Sequence, residues 1–101
     1  MTSRIKLVTV FTEAAIESSL VHELDGIGVP GYTITNARGK GSGGVRSGAW
    51  EANANIRVEI LCAEALAELL ISRLQERYYE HYSMVMYMSD VDVLRPEKFS
   101  S

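Results

Sequence analysis

The sequence predicts an α+β fold: a four-stranded antiparallel sheet with two helices on one face, in the chain order β-α-β-β-α-β. Three observations predict it. Strand-like apolar runs and helical apolar stripes follow one another in that order along 101 residues. The two βα halves have short connections, as in the split βαβ or ferredoxin-like arrangement. No linker divides the chain into two units, so residues 1–101 read as one domain with a single core.

The first strand is read at Ile5–Phe11 (IKLVTVF), β-branched and almost continuously apolar. Thr12 reads as a helix N-cap, and Glu13 as the acidic residue of the first turn, where the helix dipole favours it. Ile16, Leu20, Leu24 and Ile27 then recur at helical spacing, with Glu17, His22, Glu23 and Asp25 largely off that stripe. Gly26 and Gly28 weaken the helix end, and Val29-Pro30-Gly31 reads as a tight turn with Gly31 free to take positive φ. Tyr32–Arg38 is the second strand and Asn55–Cys62 the third, the latter alternating Ile56, Val58 and Ile60 against Arg57, Glu59 and Leu61. Glu64–Tyr78 carries Leu66, Leu69, Leu70, Arg73, Leu74 and Arg77 as the second helical stripe, and the last strand runs from Met84 to Val93.

Composition narrows the function. Ten Lys+Arg against thirteen Asp+Glu give a net charge of −3, the wrong sign for a protein that wraps nucleic acid. The apolar runs are far shorter than the ~20 residues a bilayer requires, and the N-terminus does not read as a signal peptide. One cysteine, Cys62, cannot form an intramolecular disulfide, so the cytoplasm is the expected compartment.

Strands two and three should form a hairpin, yet the segment between them is much longer than the usual two to five residues. Five of the ten residues from Gly39 to Gly48 are glycine. Such spacing lets successive backbone amides converge on an anion, with Ser42, Lys40 and Arg46 adding side-chain donors. The order is neither a Walker motif nor a Rossmann fingerprint, and a solvated basic loop is the competing explanation. Trp50, alone in a Gly/Ser/Ala stretch, reads as a partner or intersubunit anchor, or as a ring folded back on its own hairpin.

Gly31-Tyr32-Thr33-Ile34-Thr35-Asn36, then Gly39-Lys40-Gly41-Ser42, Val45-Arg46-Ser47 and Ala54-Asn55-Ile56-Arg57-Val58-Glu59-Ile60-Leu61, closely resemble the PII-like signalling proteins. Within that group the chain looks most like the branch linked to bicarbonate uptake and carboxysomes, of the SbtB or carboxysome-associated type. The resemblance implies a trimer of ferredoxin-like subunits with an adenine nucleotide in each intersubunit cleft. It also implies that a long T-loop, at about residues 39–54 here, reports the bound state to a membrane transporter of bicarbonate. By position, Gly39, Lys40, Gly41 and Ser42 would cradle phosphate, and Arg46 would contact it. Thr33 and Ala37 would line the nucleotide from one strand, with Asn55 and Glu59 on the next, while Ser83, Met84 and Val85 would lie against the base from a neighbouring subunit. The implied ligand is AMP or ADP, with ATP or cyclic AMP as alternatives and bicarbonate as a co-ligand. No metal is expected.

The resemblance has departures. The loop is short, Gly43 stands where some relatives carry arginine, and the final Lys98-Phe99-Ser100-Ser101 lacks the cysteine-containing tail of some SbtB-type members. A short loop without that tail points to the carboxysome-associated type. Nitrogen-sensing PII proteins match less well, because this loop has no tyrosine.

Other functions weigh less. A slow ATP/ADP phosphohydrolase would need an acid/base group near the loop, for which Glu59 is the one carboxylate to name. An RNA-recognition domain would need exposed aromatics on the central strands, which read IKLVTVF and NIRVEILC. A trimeric metal-tolerance protein shares the architecture, but His22 and His81 stand on helical segments without further ligands at metal spacing. The expected role is therefore a non-catalytic sensor working by population shift. Met84, Met86 and Met88 alternate along the last strand and read as core or interface, and Tyr78, Tyr79 and Tyr82 as a wet-edged belt.

Overall fold

A computed structural model describes residues 2–39 and 55–99. Four strands, β1 (Ser3–Glu13), β2 (Thr33–Ala37), β3 (Asn55–Cys62) and β4 (Met84–Val93), form one sheet in the order β2-β3-β1-β4, every pair antiparallel. Helices α1 (Glu17–Ile27) and α2 (Glu64–Tyr78) complete the expected α+β architecture. Short 3-10 turns at Ala14–Ile16 and Pro96–Phe99 follow β1 and β4.

Register decides which side chains meet. Val8 stands opposite Ile60 and Met88, Val10 opposite Val58 and Met86, and Thr12 opposite Ile56 and Met84. These rows share one face, because side chains alternate along a strand. Val8, Val10, Ile56, Val58, Ile60 and Cys62 form a single core with Leu20 and Leu24 of α1 and Ala67, Leu70, Leu74 and Tyr78 of α2. Both helices therefore cover the same face, as the sequence predicts. On the other face lie Leu7, Thr9, Phe11, Glu59, Leu61, Val85 and Tyr87, and the Phe11 and Tyr87 rings stand 6.3 Å apart.

Polar links join the helices to each other. The Ser19 and Tyr78 hydroxyls are 2.6 Å apart, and Glu23 accepts ion pairs from Arg77 at 3.3 Å and Arg73 at 3.6 Å. Glu64 in the first turn of α2 and Arg77 in its last both suit the helix dipole.

Four expectations are corrected. Thr12 does not cap a helix, and Glu13, although it directly precedes the 3-10 turn, caps it with no side-chain bond: β1 runs through both, and α1 begins at Glu17. Their side chains are engaged elsewhere, as described below. Gly26 stays within α1, whereas Gly28, at φ 87°, ends it by returning its amide to the Leu24 carbonyl at 3.1 Å. Among the described glycines that positive φ belongs to Gly28 and not to Gly31. On α2 the buried stripe is Ala67, Leu70, Leu74 and Tyr78, which leaves Leu69 46% exposed. Finally, His81 follows the end of α2 in a turn and is not helical, while His22 is exposed on α1.

Candidate functional site

The hairpin geometry gathers several sequence-predicted site residues at one end of the sheet. Ala37, the last residue of β2, faces Asn55, the first of β3, and Asn55 faces Glu13 on β1. Gly39 is exposed two residues beyond Ala37, and, its chain neighbours aside, no atom of the described residues lies within 4 Å of where a Cβ would stand on it. The segment joining β2 to β3 thus leaves from this end. Asn55 is fully buried at 1% exposure, so its side chain belongs to the sheet end rather than to solvent.

The same end holds the turn from α2 into β4. Thr12 Oγ1 donates to the Ser83 carbonyl at 2.8 Å, and the Ser83 amide donates to Glu13 Oε2 at 2.7 Å. Ser83 therefore meets β1 through both of its main-chain polar groups, and its amide is already engaged within its own subunit. Met84 packs its side chain against the core on the helix-bearing face, while Val85 points to the opposite face and is half exposed. With strands spaced about 4.8 Å apart, Ala37 on β2 and the start of β4 are separated by roughly 14 Å across the sheet.

Thr33 and Glu59 form a second group. They face each other across β2 and β3, about 13 Å along the strand from Ala37 at ~3.3 Å per residue. Both line a cavity of about 450 Å³ on the helix-free face, with Leu7, Leu61 and Val91. Arg57 Nη2 lies 3.3 Å from Glu59 Oε1. The residues expected to line one nucleotide thus occupy two places in a single subunit. Lys40, Gly41, Ser42, Arg46 and Trp50 lie outside the described residues.

Elsewhere, a cavity of about 530 Å³ at the far end of the sheet is lined by Arg4, Lys6, Glu64, Asp90 and Phe99, none of them a sequence-predicted site residue. Lys6 Nζ donates to Asp90 Oδ1 at 2.6 Å there; that bond raises the lysine pKa and lowers the aspartate's. Burial pushes the Cys62 thiol pKa up, which keeps it protonated and unreactive. Among the described residues no three His, Cys, Asp or Glu side chains gather as a metal site. No described helix is long and apolar enough to cross a membrane.

The family model for Nitrogen regulatory protein P-II matches residues 5–98, almost the whole chain. The chain belongs to the PII family. PII proteins are signalling proteins. Solved PII-like structures agree over full length. A PII-like signalling protein from Thermus thermophilus is 41% identical, with 97% of each chain covered and a TM-score of 0.81. CPII from Thiomonas intermedia, in a structure bound to ADP, AMP and acetate, is 31% identical, with 100% of this chain and 99% of that chain covered and a TM-score of 0.85. A second CPII structure, bound to ADP and bicarbonate, is 31% identical over 98% and 97% of the two chains, with a TM-score of 0.83.

Within this PII fold, Thr12 and Glu13 stand at the same sheet end as Ala37 and Asn55 and bond to Ser83. A Thr-Glu pair before a helical stripe carries the same chemistry as a local cap, so the sequence alone does not distinguish the two.

Proposed function

We propose that this chain is an adenine-nucleotide sensor of the bicarbonate-uptake and carboxysome branch of PII proteins, acting in the cytoplasm as a homotrimer and without catalysis. It binds AMP or ADP, with ATP or cyclic AMP as the alternatives, and takes bicarbonate as a co-ligand. Loop 39–54 carries the bound state to a membrane bicarbonate transporter. The observation that carries this reading is the full-length match, at 31% identity, to a PII-like protein whose structures hold ADP, AMP and bicarbonate.

The arrangement of the sheet supports it. Ala37 and Ser83 lie at the same sheet end but three strands apart, which suits a cleft where one subunit supplies the loop base and the next supplies the turn at Ser83–Val85. Val85 and Tyr87, both about half exposed on the helix-free face, suit burial in a subunit interface. The glycine amides of the loop, with Lys40, Ser42 and Arg46, supply donors for the phosphates.

A thermal-shift panel with AMP, ADP, ATP and cyclic AMP, each with and without bicarbonate, tests the reading. A nucleotide at a hundred times its Kd stabilises by about 2.7 kcal/mol, and the melting point must rise accordingly. Arg46→Ala should weaken AMP or ADP binding by about 1.5–3 kcal/mol, the range for a charge-assisted hydrogen bond. No shift with any adenylate, or a monomer in the ultracentrifuge, overturns the proposal.

A further inference from the structure

We propose that Glu13, with Thr12, is a positioning residue for the nucleotide site, locking the turn before β4 in the pose that meets the ligand. The inference rests on the nucleotide-binding reading above and adds to it two residues of β1 that no contact with ligand requires.

The geometry is specific. Ser83 is seventy residues from Glu13 and seventy-one from Thr12, and both of its main-chain groups are taken by these two side chains. Thr12 is fully buried, its backbone paired with Met84 on one side and Ile56 on the other, so its hydroxyl has a fixed origin. Glu13 is the last residue of β1 and faces Asn55. One strand end therefore touches the root of the loop through Glu13 opposite Asn55 and the turn before β4 through Ser83. A carboxylate accepting a main-chain amide at 2.7 Å is a strong, directional bond.

The segment before Ser83 is tied to the end of α2: the Tyr79 amide donates to the Gln75 carbonyl at 3.2 Å, and the His81 and Tyr82 amides donate to the Tyr78 carbonyl at 3.2 and 3.0 Å. The two bonds from Thr12 and Glu13 are what tie Ser83 to the sheet. Releasing them leaves the turn in several poses, of which one is competent, and apparent affinity falls with the competent fraction. Glu13 thereby acts on ligand binding without touching ligand.

The test uses the full chain and four proteins: wild type, Glu13→Ala, Glu13→Gln and Thr12→Val. ADP affinity is measured by calorimetry, oligomeric state by ultracentrifugation, and amide exchange over residues 83–85 by mass spectrometry. Glutamine keeps an oxygen that accepts the Ser83 amide, so Glu13→Gln should restore affinity and protection. Glu13→Ala should bind ADP about five- to tenfold more weakly with an unchanged oligomer, and exchange faster at 83–85. Thr12→Val keeps the buried shape and deletes the donor, and should weaken ADP in the same direction; it carries the test if Glu13→Ala does not fold. Wild-type affinity in Glu13→Ala and Thr12→Val overturns the positioning role while leaving nucleotide binding intact. Glu13→Gln as weak as Glu13→Ala overturns it as well, since charge and not the bond would then act. Absence of ADP binding in the wild type overturns the nucleotide reading and this inference with it.

Discussion

Replacing Thr9 by valine tests how the middle of β1 is built. Thr9 is 1% exposed, and its Oγ1 has no hydrogen-bond partner among the described residues. It stands between Glu59 and Tyr87 on the helix-free face. Burying a hydroxyl with no partner costs about 1–3 kcal/mol, and valine keeps the branched shape without that cost. Thr9→Val should therefore stabilise the protein by about 1–2 kcal/mol, within that range. For a chain of this size that corresponds to a melting point several degrees higher, at about 4–8 °C per kcal/mol. The assay is urea unfolding at one fixed protein concentration, because assembly would otherwise shift the midpoint. An increased midpoint at unchanged slope is the expected result. Thr12→Val is the contrasting control on the same strand, since that hydroxyl makes its bond to Ser83 and its removal should cost about 1 kcal/mol. A Thr9→Val protein less stable than wild type would refute the reasoning, because it would mean the hydroxyl is satisfied.

Two further predictions concern polar contacts of the scaffold. Ser19→Ala, Tyr78→Phe and the double variant should show a coupling of about 1 kcal/mol in a double-mutant cycle, since their hydroxyls meet at 2.6 Å between α1 and α2; additive losses would show that the contact contributes nothing. Lys6 holds the Asp90 carboxyl below the ordinary carboxylate range, so that aspartate's contribution is present above its unfolded pKa and is lost as pH falls through the lowered folded value. Wild type should lose slightly more stability than Asp90→Asn between about pH 5 and 3, less so in high salt, because the pair is exposed; identical pH profiles for the two proteins would count against the bond.

The sequence made much of this fold legible, and its failures have a common cause. The bounds of β3, α2 and β4 are readable because each carries a clear period and ends at a change of chemistry, as at Cys62 before Ala63-Glu64. That β2 pairs antiparallel with β3 follows from hairpin logic, while the register that sets Ala37 opposite Asn55 is visible only in the structure. Thr12 and Glu13 misled because the groups that cap a helix, a hydroxyl and a carboxylate near free amides, serve equally well to hold a turn seventy residues away. No local window contains Ser83. On α2, Leu69 is as apolar as Leu70 but points outward, and Ala67 and Tyr78 complete the buried stripe. Tyr78 qualifies because its ring is buried while its hydroxyl meets Ser19. Thr33 and Glu59 separate from Ala37 and Asn55 for a simple reason: extended chain advances about 3.3 Å per residue, so four positions move a side chain beyond the reach of one phosphate group.

The closure of β2 on β3 at Ala37 and Asn55 has an evolutionary consequence. Once two strand ends are pinned by a sheet, the entropic cost of joining them grows only with the logarithm of the number of residues between, about 0.6 kcal/mol per doubling. Residues 38–54 can therefore lengthen, shorten or change composition across a lineage at little expense to the scaffold. Changes of length or composition there leave the strands beneath the same.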